Sequence, residues 1–241
     1  MNHGNFSRPP SRSPESRVAP VVYIVDDDIF VRESLALLTR GEGWQPVALA
    51  SARGFLSHRQ VCAPSCLILD VGLPDINGLE LQRQISQRYH PPIIFLTGYD
   101  DIPTSVRAIK AGAFDFLIKP FHAQELLYLV RAALHQDYER RASQTELDGL
   151  RKRFESLTPR ERDVLPLVVS GLLNKQAAGQ LGISEITLQI HRTNVMRKMQ
   201  ADSLAGLVRM ADALEIPVMG LRRLPSRSVG PRRTTSALSL P

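Results

Sequence analysis

The sequence predicts a doubly wound α/β domain followed by a smaller all-α domain, and three observations lead to this prediction. Between residues 21 and 120, five short apolar runs alternate with helical patterns. These runs are apolar almost throughout, which is typical of parallel strands that are covered on both faces. From residue 158 to 216, amphipathic helices with capping residues follow one another without such runs.

The five predicted strands are the apolar runs themselves. They are VVYIV (21–25), PVALA (46–50), CLILD (66–70), PIIFL (92–96) and AFDFLIK (113–119). Between them, apolar residues such as Val31, Leu35 and Leu38 recur at helical spacing. Five βα units fit a flavodoxin-like sheet of strand order 2-1-3-4-5, in which ligands bind outside the carboxyl ends of the strands. The polar residues at those ends are therefore the first candidates for a site.

Three carboxylates are predicted to meet at these strand ends. Asp26 and Asp27 follow the first strand and Asp70 ends the third, and the two strands are neighbours in this order. Two unit charges about 5 Å apart repel by about 3 kcal/mol at an effective dielectric of 20, so such a group requires a cation. Carboxylate oxygens suit Mg²⁺. Asp28 is expected to be a solvated residue at the start of the first helix.

A hydroxyl and an ammonium complete the set, because Thr97 ends the fourth strand and Lys119 ends the fifth. The combination suits transfer of a phosphoryl group to Asp70, with Lys119 and Mg²⁺ neutralising its oxygens and Thr97 donating to one of them. Phosphohydrolases that form an aspartyl-phosphate are an alternative. They usually place a second Asp two residues after the nucleophile, where this chain has Gly72.

Residues 21–135 resemble the receiver domain of two-component response regulators. The motifs that carry the resemblance are VDD, LDVGLPDINGLE, FLTG and AGAFDFLIKPF. It implies that a sensor histidine kinase phosphorylates Asp70. It also implies that Asp26 and Asp27 bind Mg²⁺ together with Asp70 and the backbone carbonyl of Gly72.

The same resemblance implies a switch formed by Thr97 and Phe116, in which the aromatic ring reports phosphorylation to the face around the fifth strand. Phe116 as a plain core residue is the alternative. The bond between Lys119 and Pro120 is expected to be cis. Tyr99 and Asp100 depart from the usual residues, and this leaves the lifetime of the phosphorylated state open.

A helix is predicted to follow Pro120 and to continue through a linker, residues 136–150. Leucine and phenylalanine residues spaced 3, 4 and 3 apart form a short seam near its end: Leu147, Leu150, Phe154 and Leu157. The seam is typical either of a solvated linker helix or of a helix that couples the domains or pairs two protomers.

Residues 151–216 contain a predicted helix-turn-helix. Thr158 and Glu161 form a capping box. Ser184 caps a helix whose apolar face packs inward and whose opposite face carries polar, basic and isoleucine side chains. The candidate DNA contacts are Lys175, Thr187, Gln189, Ile190, Arg192, Thr193, Arg197 and Lys198.

This segment resembles the LuxR-type DNA-binding domain on the motifs LTPRERDVL, GLLNKQAAGQLGIS and TLQIHRTNVMRKM. With the receiver it gives a response regulator of the NarL/FixJ type. Gln189 stands where many such domains have Lys, which suggests a different base preference. The resemblance implies a non-enzymatic, phosphorylation-dependent transcription regulator that dimerises on double-stranded DNA, with RNA polymerase as a further partner. A phosphorylation-independent regulator with a vestigial receiver is the alternative.

The chain of 241 residues has a formal net charge of +6. Residues 21–140 carry 11 Lys and Arg against 14 Asp and Glu, whereas residues 217–241 carry five Arg and no acid. The ends, 1–20 and 217–241, are predicted to be disordered tails, the second of them basic. No apolar run reaches about 18 residues and the N-terminus lacks a secretory pattern, so a cytoplasmic protein without a membrane contact is expected.

Overall fold

The computed structural model describes four stretches of the chain: residues 18–59, 61–86, 91–98 and 109–217. The chain divides into two compact units between Gln144 and Thr145. Most of the predicted tails, 1–20 and 217–241, lies outside the described residues. Among the residues described, every helix is too short or too polar to cross a bilayer.

The first unit is built on five parallel strands. They are β1 (Val21–Val25), β2 (Gln45–Leu49), β3 (Ser65–Asp70), β4 (Ile93–Thr97) and β5 (Asp115–Ile118). The order β2-β1-β3-β4-β5 confirms the prediction. Every residue of β1, β3 and β4 is buried, which explains their nearly unbroken apolar sequences. Because the strands are parallel and in register, their carboxyl ends lie at one edge of the sheet.

Four helices lie wholly or partly in this unit. They are α1 (Ile29–Gly41), α2 (Ala52–Ser57), α3 (Gly78–Ser86) and α4 (Ala123–Glu155). Asp28 is the N-cap of α1, and its carboxylate accepts the N–H of Phe30 at 2.8 Å. The prediction that Asp28 is a solvated residue at the start of the first helix is confirmed. Ser51 caps α2 in the same way, because its hydroxyl accepts the N–H of Gly54.

Alternate residues of each strand point to opposite faces of the sheet, so the unit has two apolar clusters. One contains Tyr23, Leu69 and Phe95, and the other contains Cys66 and residues of α4 such as Leu126. Burial, together with the nearby charge of Asp137, raises the pKa of the Cys66 thiol. Cys66 is therefore a buried free thiol.

The second unit is helical. Its helices are α5 (Pro159–Val169), α6 (Asn174–Leu181), α7 (Glu185–Met199) and α8 (Leu204–Ala213). The predicted capping box of Thr158 and Glu161 is present. Gly182, in the left-handed conformation, ends α6 just before Ser184 caps α7. This short connection is the turn of the predicted helix-turn-helix.

The core of the second unit contains the apolar face of α7 that the sequence predicts. Leu188, Val195 and Met199 are fully buried. Leu157 belongs to the same core, and Phe154, at the end of α4, packs against it. Phe154 and Leu157, the C-terminal half of the predicted seam, therefore pack within the second unit.

Candidate functional site

A lysine directly after β5 joins two of the predicted carboxylates at the carboxyl edge of the sheet. The Nζ of Lys119 donates to Asp26 Oδ2 at 2.8 Å and to Asp70 Oδ1 at 2.6 Å. Asp26 is 1% exposed and Asp70 is 9% exposed. The structure thus brings together three residues that are 44 or more positions apart in the chain, as the strand order requires.

The charge on Lys119 is stabilised by this arrangement. Partial burial opposes the charged ammonium, but the hydrogen bonds and negative charges of Asp26 and Asp70 outweigh burial and raise the pKa of Lys119. The ammonium therefore stays charged at neutral pH, which suits a group that neutralises phosphoryl oxygens.

Backbone N–H groups hold the remaining carboxylate oxygens. Gly72 donates to Asp70 Oδ2 at 2.7 Å, and Asp28 donates to Asp26 Oδ1 at 2.9 Å. Each carboxylate is thus fixed through both of its oxygens, and neither side chain is free to turn without losing a hydrogen bond.

Of the two residues predicted as a switch, Thr97 ends β4 and Phe116 lies within the neighbouring strand β5. Thr97 is 2% exposed, and its hydroxyl lies 3.3 Å from the carbonyl of Gly98. Phe116 is half-buried and packs against the cluster that contains Phe95. The bond between Lys119 and Pro120 is cis, as predicted.

Tyr99 and Asp100, the two departures from the usual residues, fall outside the four described stretches.

The third predicted metal ligand, Asp27, is exposed at the end of β1. Among the described residues, no three His, Cys, Asp or Glu side chains are arranged to hold a metal ion. Two carboxylates nevertheless converge on one cation, Lys119, and their oxygens suit Mg²⁺. Gly72 keeps the space beside Asp70 open, because a Cβ there would lie 3.3 Å from Asp70 Oδ2. The two carboxylates, with Asp27 next to Asp26 at the same strand end, have the oxygen chemistry that fits magnesium.

Three residues that the prediction missed support the site. A Cβ at Gly78 would lie 2.7 Å from the carbonyl oxygen of Asp70, so only glycine fits there. Arg32 donates to the carbonyl of Asp26 at 2.6 Å.

Asp75 is the third of them, and it accepts the N–H groups of Ala52 and Arg53 at the start of α2. Burial opposes ionisation of this carboxyl, but the backbone donors outweigh it and lower its pKa. Asp75 and Gly78 both lie in the motif LPDINGLE, so this motif could have indicated that they support the site. For Arg32, the sequence offers no indication beyond the positive charge of the side chain.

The second unit presents one side of α7 to solvent. Ile186 is 75% exposed and Ile190 is 57% exposed, which is unusual for isoleucine on a packed helix. Five of the eight predicted DNA contacts are exposed: Lys175, Gln189, Ile190, Thr193 and Arg197.

The other three predicted contacts are engaged within the unit. The hydroxyl of Thr187 bonds to that of Ser184 at 2.8 Å, and Arg192 donates to the side chain of Asn174 at 3.0 Å. Lys198 donates to Glu161 Oε2 at 2.7 Å, and the carboxylate partner is 4% exposed. This ion pair gives Lys198 a structural role within the unit, and its contact with a DNA phosphate remains a prediction.

Both segments match family models. Residues 22–131 match the response regulator receiver domain, and residues 155–211 match the bacterial regulatory proteins of the luxR family. Nodulation protein W of Bradyrhizobium diazoefficiens is 48% identical over 203 residues, which cover 84% of this chain and 89% of that protein.

Two solved structures of similar proteins support the same family. The response regulator StyR is 44% identical with a TM-score of 0.75, over 81% of this chain and 99% of that one. Full-length FixJ from B. japonicum is 36% identical with a TM-score of 0.50, over 82% and 98% of the two chains. A protein of this organisation interacts with a sensor kinase and with DNA. The chain belongs to the two-component response regulators that join a receiver domain to a LuxR-type DNA-binding domain, and it is a phosphorylation-dependent transcriptional regulator.

Proposed function

We propose that phosphorylation of Asp70 by a sensor histidine kinase switches this cytoplasmic protein to a dimer that reads DNA through α7. The observation that carries the proposal is the contact of Lys119 with both Asp26 and Asp70. A charged ammonium between two carboxylates at the end of a parallel sheet has the chemistry of a phosphoryl acceptor site.

In the transfer step, one carboxylate oxygen of Asp70 attacks phosphorus while the bond from phosphorus to the imidazole nitrogen of the kinase breaks. The electron pair of the broken bond stays on the imidazole. Lys119 neutralises the phosphoryl oxygens, and the N–H of Gly72 orients Asp70 through its other oxygen.

Magnesium would be held by Asp26, Asp27, Asp70 and the backbone carbonyl of Gly72. It would supply positive charge that lowers the repulsion between the carboxylates and the incoming phosphoryl group. Lys119 would then be released from Asp26 to follow the phosphoryl oxygens.

The switch would pass through Thr97 and Phe116. The Thr97 hydroxyl would leave the carbonyl of Gly98 and donate to a phosphoryl oxygen, which vacates space that the half-buried ring of Phe116 can enter. Shifting such an equilibrium from 1:99 to 99:1 requires about 5.5 kcal/mol of differential stabilisation. This stabilisation would come from the dianionic phosphoryl group next to Lys119 and Mg²⁺.

The exposed side of α7 would lie in the major groove. Gln189 can form two hydrogen bonds with adenine, and Ile190 can contact a thymine methyl group. Lys175 and Arg197 would contact phosphates, and Arg192 keeps donors for one beyond its bond to Asn174. Two such helices in a dimer would read half-sites about 34 Å apart. Binding beside a promoter would bring RNA polymerase within reach as a further partner.

The basic tail, Arg222 to Arg233, would add phosphate contacts without sequence preference. Each engaged Arg steepens the slope of log affinity against log salt by about 0.9. Truncation after Pro217 is expected to flatten that slope. A tail that only keeps the protein soluble would leave the slope unchanged.

The test of the whole proposal is selection of bound duplexes from a random pool with and without acetyl phosphate, followed by sedimentation of the protein with beryllofluoride. We expect one enriched sequence with two half-sites, much stronger enrichment with acetyl phosphate, and a dimer with beryllofluoride. Equal enrichment in both arms and an unchanged monomer would instead indicate a DNA-binding protein with a vestigial receiver.

A further inference from the structure

We propose that Arg153 is a positioning residue for DNA reading, which fixes the C-terminal end of α7 against the last turn of α4. The inference rests on the proposed role of α7 at the DNA. All the contacts that support it lie within the second unit, after Thr145.

The guanidinium of Arg153 reaches from α4 to the end of α7. Its Nη1 donates to the carbonyl of Met199 at 3.2 Å and to Gln200 Oε1 at 3.3 Å. Its Nε lies 3.4 Å from the carbonyl of Gly149, one turn earlier on its own helix. The planar group therefore spans two helices with a donor directed at each.

The position matters because the last carbonyls of a helix lack partners within it. At the end of α7, the N–H of Ala201 bonds to Met196 and the N–H of Gln200 bonds to Arg197. Neither of these bonds uses the carbonyl of Met199, which accepts a hydrogen bond from Arg153. A cation at this end also meets the negative end of the helix dipole.

Gln200 supplies an independent observation. It has φ 56° and ψ 42°, a left-handed conformation in which glycine is the usual residue after a helix. Glutamine is strained there, and its side chain is the one that accepts from Arg153. The contact explains why a side chain is useful at a position where the backbone favours glycine.

A second contact holds the same turn, since Lys198 donates to Glu161 and to the carbonyl of Ser156. Arg153 and Lys198 together tie the end of α7 to the chain segment 153–161. The reading residues Gln189 and Ile190 lie on this helix, so a change in its tilt moves them relative to base edges. The basic side chains of the same helix move as well, but phosphates line the whole DNA backbone, so we expect these side chains still to reach one.

The first experiment measures the affinity of full-length Arg153→Ala for the selected duplex and for a random-sequence duplex at several salt concentrations. We expect about a tenfold loss on the selected duplex, no change on the random one and an unchanged salt slope. Arg153→Lys should recover part of the loss. Arg151→Ala is the matched control. Among the described contacts, this exposed side chain pairs with nearby Asp148, so its removal should leave both affinities and the salt slope unchanged.

Two results would overturn the proposal. One is unchanged affinity of Arg153→Ala for the selected duplex. The other is an equal loss on both duplexes with a salt slope smaller by about 0.9, which would make Arg153 a phosphate contact.

Gln200→Gly separates positioning from folding, and it decides the matter if Arg153→Ala does not fold. Glycine relieves the left-handed backbone, so the melting temperature should rise by several degrees. The affinity for the selected duplex should nevertheless fall. A higher melting temperature with unchanged affinity would contradict the proposal.

Gln189→Ala distinguishes failure of this inference from failure of the proposed function. If Gln189→Ala weakens binding of the selected duplex and the Arg153 and Gln200 variants do not, only the inference is wrong. If Gln189→Ala is also without effect, α7 does not read the DNA and both are wrong.

Discussion

The carboxylate of Asp137 accepts the backbone N–H of Ser65 at 2.9 Å, and Ser65 begins the strand that Asp70 ends. Asp137 is completely buried on α4, and Arg140 and Arg141 also bond to it. It lies in the segment 136–150 that the sequence predicts as a linker. The first unit therefore uses a residue of that segment to hold its central strand.

We expect Asp137→Ala to destabilise the first unit by about 3–5 kcal/mol, because two arginines and a backbone N–H lose a buried partner. Glu139→Gln is the control, since that side chain is 68% exposed and should cost little. Urea unfolding of the full chain, followed by fluorescence of Trp44 in the first unit, measures both. A loss below about 0.5 kcal/mol for Asp137→Ala would mean that the contact does not stabilise the fold.

Gly78→Ala should destabilise the first unit by about 1–3 kcal/mol, because the new Cβ would lie 2.7 Å from the carbonyl of Asp70 and 3.1 Å from the ring of Phe95. Phosphorylation should slow at the same time, since the clash moves Asp70. Gly149→Ala is a control of opposite sign. Nothing lies within 4 Å of its Cβ position in α4, so alanine should stabilise that helix by about 0.5–1 kcal/mol. Thermal melts measure both variants. If Gly78→Ala and Gly149→Ala shift the melting temperature in the same direction, this explanation is wrong.

The ion pair of Glu161 and Lys198 should make the second unit sensitive to acid. Burial opposes ionisation of Glu161, but the hydrogen bond from Lys198 and the donors of Thr158 outweigh it and lower the pKa of Glu161. A carboxyl with a lowered folded pKa stabilises the protein above its ordinary pKa, and this contribution is lost as the pH falls through the folded value.

Glu161→Gln tests this, because glutamine can keep the capping-box hydrogen bond but has no charge for Lys198. We expect a loss of about 1–3 kcal/mol at pH 7 and a flatter stability profile below about pH 4.5. Glu155→Gln, an exposed carboxyl, should follow the wild type. Parallel profiles for wild type and Glu161→Gln would show that the pair contributes nothing.

The two thiols should differ in reactivity. Cys62 is exposed, whereas Cys66 is buried and the pKa of its thiol is raised. A disulfide-exchange reagent needs a thiolate, so it should label one thiol in the native protein and two in denaturant. Rapid labelling of both thiols in the native protein would show that Cys66 in β3 is accessible to the reagent, contrary to this prediction.

The sequence predicted most of what depends on local pattern. The strand runs, the solvated position of Asp28, the caps at Thr158 and Ser184, and the buried face of α7 follow from periodicity and side-chain chemistry. It also predicted that Asp26, Asp70 and Lys119 meet, because strand order places their strand ends together.

It failed where a residue's role depends on a partner far along the chain. The pattern gives no sign that Lys198 pairs with the buried carboxylate of Glu161, 37 residues earlier. Asp137 looks like part of a solvated linker until Ser65 is seen to donate to it, and the fit of Gly78 beneath Asp70 is equally invisible in the pattern. Such contacts are set by packing between elements and not by spacing within one.

The most direct test of the central role of Asp70 is labelling with radioactive acetyl phosphate in magnesium, combined with sedimentation, for wild type, Asp70→Asn and Asp28→Asn. Asn also caps helices well, so Asp28→Asn is a neighbouring carboxylate change that should keep the fold. We predict that wild type and Asp28→Asn each take up one phosphoryl group and dimerise, whereas Asp70→Asn does neither and melts like the wild type. Equal labelling and dimerisation of Asp70→Asn would contradict the account.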